Sequence, residues 1–174
     1  KLILNVYNQI PEPINNIEWV DIGGGFGIDT IINFEKLNNE LLYLKKKYNL
    51  NIYIEPGRYL VAEAGILLGK VTQIKIKNNT KFIGTNIGMT DLIRPALYSA
   101  IHPIYFKDYN HTKELVTVVG QICESSDILI RNVLVDNTIK IGDSIIVENT
   151  GAYGIVMASG YNNRNLPEEV LVNY

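Results

Sequence analysis

IEWVDIGGGFGI, residues 17–28, carries a short apolar strand straight into three glycines, and NIYIEPGRYLVAEAG, residues 51–65, leads a second strand into Glu55-Pro56-Gly57. Glycines at a strand end let bare backbone N–H groups approach an anion such as a phosphate. Between the two words, Ile31, Phe34, Leu37, Leu41, Leu44 and Tyr48 recur at three- and four-residue spacing, which predicts an amphipathic helix. Asp29 or Thr30 is its expected cap. Lys45, Lys46 and Lys47 suit the negative end of its dipole. YLVAEAGILL, residues 59–68, reads as a further helix. Strand, helix, strand, helix with short connections implies parallel strands and right-handed crossovers.

After about residue 70 the pattern changes to β. Strands are expected at residues 71–77, 81–84, 115–119, 128–135, 144–147 and 170–172, separated by turn signals such as Asn78-Asn79, Asp136-Asn137 and Gly142-Asp143. Helical turns are expected near 91–100 and 152–159, and NRNLP, residues 163–167, reads as a polar loop. The fold class is therefore α/β followed by β, with residues 1–70 as one domain and 71–174 as the second. Two strand–helix units cannot close a parallel barrel, and the chain opens at Lys1 without a cap or turn. The expectation is the C-terminal part of a longer polypeptide.

Bulk properties narrow the function classes. Of 174 residues, 47% are hydrophobic and 20% charged, as in an ordinary folded domain. The net charge of −2 gives no electrostatic case for nucleic acid or an anionic membrane. No apolar run approaches the roughly 20 residues of a membrane span. No signal-peptide pattern opens the chain. A single cysteine, Cys123, excludes an intrachain disulfide and points to a reducing compartment.

Five words carry candidate chemistry. GGGFG is either an anion cradle or a tight turn needing positive φ; it lacks the spacing of a dinucleotide fingerprint. Glu55, at a strand end, either faces a site, where it would hold a protonated ring nitrogen, or pairs with Arg58; Arg58 is alternatively a fork for a substrate carboxylate. Arg94 lies in the apolar run Leu92-Ile93-Arg94-Pro95 and needs an anion. It belongs either to a structural ion pair or, with Tyr98 one helical turn on, to a carboxylate clamp. Cys123 is either a small buried residue or, beside Glu124, Ser125, Ser126 and Asp127, a general acid in a cleft. His102 and His111 lack metal-ligand spacing with it, so no metal is expected. Tyr153, between Gly151 and Gly154, is a core-packing turn aromatic or a phenol reaching a ligand.

Taken together, GGGFGI, EPGR, DLIRPALY, ICESSD and GAYG resemble the fold-type III pyridoxal-phosphate decarboxylases, over residues 17–172. The resemblance implies the last units of a (β/α)8 barrel that binds pyridoxal 5′-phosphate, followed by an alanine-racemase-like β domain. It places Gly24, Gly25, Gly57 and Arg58 at the cofactor phosphate and Glu55 at the pyridine nitrogen. Arg58, Arg94 and Tyr98 would hold the distal end of an amino-acid substrate. Cys123 would be the proton donor and Glu124 a substrate ligand, both reaching into a neighbouring subunit of a homodimer. Tyr153 would touch cofactor and substrate. LIRP and CESSD are similar to the branch acting on meso-2,6-diaminopimelate, giving L-lysine and carbon dioxide, in the cytoplasm or a plastid stroma. Ornithine and arginine decarboxylases differ at both words, and a distal carboxylate wants an arginine where a diamine precursor wants an acid.

The sequence departs from the family pattern in two ways. The family's cofactor-bearing lysine and ring-stacking histidine lie on earlier strands, and Lys70, Lys75 and Lys77 stand in no matching context. Gln121 occupies a position that is often proline. The chain alone is therefore expected to be inactive. A non-catalytic homologue, or an orphan fragment acting as a binding or dimerisation module, is the competing expectation; an ornithine- or arginine-type decarboxylase is a third.

Overall fold

In the computed structural model, which describes residues 17–28, 30–107 and 112–173, the apolar stripe forms helix α1, Phe34–Tyr48. It starts later than expected: the Asn33 side chain accepts from the Lys36 amide at 2.8 Å and is the cap in place of Thr30. Asn caps as well as Asp does. Asp29 and His111 lie outside the described residues. At the far end Asn49 turns left-handed, φ 50°, and its N–H returns to the Lys45 carbonyl, a common helix stop.

Helix α1 connects β1, Trp19–Asp21, to β2, Asn51–Tyr53. The strands pair in parallel with Val20 opposite Ile52. Leu44 and Leu50 are buried against Val20, Tyr48 and Ile52. The rest of the stripe is shallower: Leu37 and Leu41 are half-buried, and Phe34 and Ile31 are exposed. Two three-residue strands cover only the last turns of the helix.

Residues 59–68 depart from the predicted helix. Helix α2 spans only Arg58–Val61, continues as a 3-10 turn at Ala62–Ala64 and stops at Gly65. Residues 67–70 instead pair antiparallel with residues 144–147. The helix propensity of this apolar run gives way to a strand partner some 75 positions away, a tertiary override of a weak local preference.

The chain divides between Leu60 and Val61 into two compact units. The second unit is built on six strands: β3 (Leu67–Lys77), β4 (Thr80–Thr85), β5 (Ile104–Phe106), β6 (Lys113–Val119), β7 (Ile128–Asp136) and β8 (Ser144–Val147). Their order across the sheet is β5-β8-β3-β4-β6-β7. All pairs are antiparallel except β4 with β6. The hairpin of β3 and β4 turns at Asn78 and Asn79, both at positive φ (50° and 60°), as a two-residue primed turn requires. Val71, Ile83, Val116, Val118, Leu129, Ile145 and Val147 meet in one core, with Leu92 from the following loop. Lys70, Lys75 and Lys77 are exposed.

Helix α3 is the single turn Arg94–Tyr98, and 3-10 turns form at Ile155–Met157 and Tyr161–Asn163. Residues 170–172 do not form the expected strand; Val170, Leu171 and Val172 are exposed and pair with no strand among the described residues. β5 was invisible in the sequence, since three residues after a proline carry too little pattern. Among the described residues, no helix is long and apolar enough to cross a membrane.

Candidate active site

In the first unit the two glycine words meet. The Ile22 N–H donates to the Tyr53 carbonyl at 3.0 Å, and the Glu55 N–H donates to the Gly23 carbonyl at 2.8 Å. The Asp21 carboxylate accepts from the Gly23 N–H at 2.7 Å. Gly23 and Gly25 have φ of 69° and 81°, and Gly57 has 32°, backbone that suits glycine. Gly24 is needed for a different reason: a Cβ there would stand 2.3 Å from the Glu55 carbonyl oxygen. Phe26 and Phe34 both pack on Tyr59, with centroids 6.3 and 6.0 Å away. Gly24, Gly25, Glu55, Gly57 and Arg58 thus gather at the C-terminal ends of β1 and β2. Among the described residues, the N–H groups of Gly24 and Gly25 meet no protein acceptor, and no ion pair joins Glu55 to Arg58. Arg58 is half-buried where α2 begins.

In the second unit Arg94 is half-buried, and its Nη1 donates to Nε2 of His102 at 3.2 Å. His102 is 1% exposed, and its Nδ1 lies 2.9 Å from the Glu148 carbonyl oxygen. A guanidinium cannot accept and a carbonyl cannot donate. The imidazole therefore carries its proton on Nδ1 and offers a lone pair to Arg94. One support of Arg94 is thus a buried imidazole. Tyr98, four residues along α3, is exposed.

Asp127 ties two candidate loops together. It is 3% exposed. One carboxylate oxygen accepts from the Met89 N–H and the other from the Ile122 N–H, each at 2.7 Å. The Gly120 N–H donates to its carbonyl at 3.0 Å. A Cβ on Gly88 or Gly120 would lie 2.5 or 2.3 Å from its oxygens, so glycine flanks the carboxylate on both sides. From this anchor residues 123–126 project, all exposed, Cys123 with a free thiol. The Tyr161 hydroxyl donates to the Glu124 carboxylate at 2.5 Å, and this bond holds the phenol above its usual pKa. Asp91 caps the preceding turn through the Gly88 N–H at 2.8 Å. Burial raises its carboxyl above the usual range, against the lowering effects of Gly88, Thr90 and the Arg164 charge.

Tyr153 sits at φ 59°, left-handed backbone uncommon for a non-glycine residue, and half its surface is exposed. Gly151 pins this turn: its N–H donates to the Ala62 carbonyl at 2.9 Å, and a Cβ there would stand 2.1 Å from the Val61 carbonyl oxygen. No hydrogen bond or ring contact joins Tyr153 to Arg94, Cys123 or Glu124 among the described residues. The sequence reading named Asp127 only as a polar neighbour and gave His102 and Tyr161 no role. Among the described residues, no cluster of three or more His, Cys, Asp or Glu could hold a metal.

A parallel strand pair ends in two glycine loops, and a mostly antiparallel sheet unit follows it in the chain. The chain belongs to the pyridoxal-dependent decarboxylase family, whose C-terminal sheet domain matches residues 5–151. Diaminopimelate decarboxylase of Methanocaldococcus jannaschii is 39% identical over 98% of this chain and 41% of its own length. That of Zymomonas mobilis is 36% identical over 98% of this chain and 42% of its own length. A crystal structure of the M. jannaschii enzyme superposes with a TM-score of 0.78 at 41% identity, covering 87% of this chain and 37% of that one. The chain thus spans about two fifths of the length of these relatives. The cofactor of the family is pyridoxal phosphate.

Proposed function

We propose that this chain supplies the carboxy-terminal portion of an enzyme that decarboxylates meso-2,6-diaminopimelate to L-lysine and carbon dioxide. The observation that carries the reading is the meeting of the two glycine loops through Gly23, Gly24 and Glu55. The residues fit a phosphate-bearing cofactor. Gly24 and Gly25 offer N–H groups with no protein acceptor among the described residues. Gly57 places the half-buried Arg58 at the start of α2. In this reading Gly24, Gly25, Gly57 and Arg58 hold the phosphate, and Glu55, free of an ion pair with Arg58, keeps the ring nitrogen protonated. When bound, the cofactor supplies the electron sink for loss of the carboxylate.

The chain's own residues do the rest. Arg94, Tyr98 and Arg58 hold the distal amino-acid end of the substrate, Glu124 binds substrate, and Tyr153 contacts cofactor and substrate. As carbon dioxide leaves, the Cys123 thiol delivers a proton to the α-carbon and regains one from solvent. The exposure of residues 123–126 supports a loop available to a neighbouring subunit of a homodimer. A single cysteine supports a cytoplasmic setting. The arginine at position 94 favours a dicarboxylate over ornithine or arginine as substrate.

Two variants of a full-length polypeptide containing this chain test the reading. Arg94→Ala is expected to raise KM for diaminopimelate by about 10- to 100-fold, the loss of a hydrogen bond to a charged group; an unchanged KM removes Arg94 from the clamp. Cys123→Ala is expected to lower kcat by about 100-fold or more, as loss of a general acid does, with the cofactor absorbance spectrum unaltered. A wild-type kcat assigns the proton delivery elsewhere.

A further inference from the structure

The turn at residues 159–164 has no functional part in the sequence reading, yet it is fastened to the candidate loops. The Ser159 N–H donates to the Thr90 carbonyl at 2.9 Å, and the Arg164 charge acts on Asp91. Within the turn the Arg164 N–H returns to the Tyr161 carbonyl at 3.3 Å, while Asn162 and Asn163 both adopt left-handed backbone, φ 54° and 57°. Asparagine tolerates that conformation where most residues do not. The turn thus presents the Tyr161 ring from a fixed base, and its hydroxyl meets one oxygen of Glu124 at 2.5 Å.

We propose that Tyr161 is a positioning residue for Glu124, holding one carboxylate oxygen so that the other faces an ammonium group of the substrate. The inference rests on the substrate-binding role proposed for Glu124. An exposed glutamate has three rotatable bonds, and fixing it on binding costs side-chain entropy. A phenol already donating to it removes part of that cost before substrate arrives. A short O–H···O⁻ bond is the strong, charge-assisted kind. The phenol keeps its proton for this purpose, since Glu124 raises its pKa.

The test uses a full-length polypeptide containing this chain. Tyr161→Phe keeps the ring and deletes the hydroxyl; KM for diaminopimelate should rise about tenfold, with kcat and melting temperature unchanged. Glu124→Gln should raise KM further, and the double variant should match Glu124→Gln alone. Independently of activity, 13C-labelled tyrosine NMR should show the Tyr161 phenol titrating above the ordinary range in the wild type and within it in Glu124→Gln. If Glu124→Gln raises KM and Tyr161→Phe does not, the positioning role is overturned while the substrate reading stands. If neither raises KM, both fall. A loss of melting temperature and kcat together in Tyr161→Phe, or a phenol titration indifferent to Glu124→Gln, also overturns the positioning role.

Discussion

Asp127→Ala is expected to destabilise the protein by about 2–6 kcal/mol, because it leaves the Met89 and Ile122 amides without their acceptor in a site 3% exposed, and each orphaned buried donor costs about 1–3 kcal/mol. For a chain of this size that corresponds to a fall of roughly 10 °C in melting temperature. The space left behind is polar on two sides and bounded by Gly88 and Gly120, so no side chain is there to fill it. Asp127→Asn should fall between the alanine variant and wild type: one oxygen still accepts, while the new NH2 faces a backbone N–H that it cannot satisfy. Thermal unfolding of the two variants measures the order. A melting temperature for Asp127→Ala equal to wild type would mean that the two loops hold themselves without the carboxylate.

Gly24→Ala is the second large effect. The new Cβ would lie 2.3 Å from the Glu55 carbonyl oxygen, and the obstacle is backbone, which cannot swing aside as a side chain does. The ends of β1 and β2 must separate, and the Glu55 N–H bond to the Gly23 carbonyl lies at the point of separation. Affinity for pyridoxal phosphate, read from a cofactor absorbance titration of the full-length protein, should drop by more than tenfold. Gly25→Ala provides the contrast. Nothing stands within 4 Å of its Cβ position, so its cost is only the strain of a positive φ, about 1–2 kcal/mol. Equal affinity in Gly24→Ala and wild type would remove the junction of the two loops from the cofactor site.

The parts of this molecule legible in the sequence are those written locally. The α1 stripe, the Asn78-Asn79 hairpin and the β8 boundaries each rest on residues within one element. The glycine loops were legible because the words sit at strand ends, where little else explains three glycines in a row. The expected helix over residues 59–68 holds only to Ala64, because the strand partner of residues 67–70 is remote, and β5 is missed because three residues carry no usable period. The apolar triplet at 170–172 reads as a strand but meets no edge among the described residues. Within the candidate site the supports were hidden by separation: Asp127 reaches Met89 across 38 positions and Tyr161 reaches Glu124 across 37. His102 is only eight residues from Arg94, yet no local rule pairs an arginine with a neutral imidazole.

A single carboxyl group accepting an amide from each of two loops makes those loops a matched pair. Transplanting CESSD from a relative with another substrate preference would import a partner shaped to a foreign Gly88-Met89 bend, and exchanging the Arg94 stretch alone would strand the same acceptor from the other side. Under the proposed function, redesign of substrate choice therefore has to move both stretches together, with Gly88, Gly120 and Asp127 carried as one cassette.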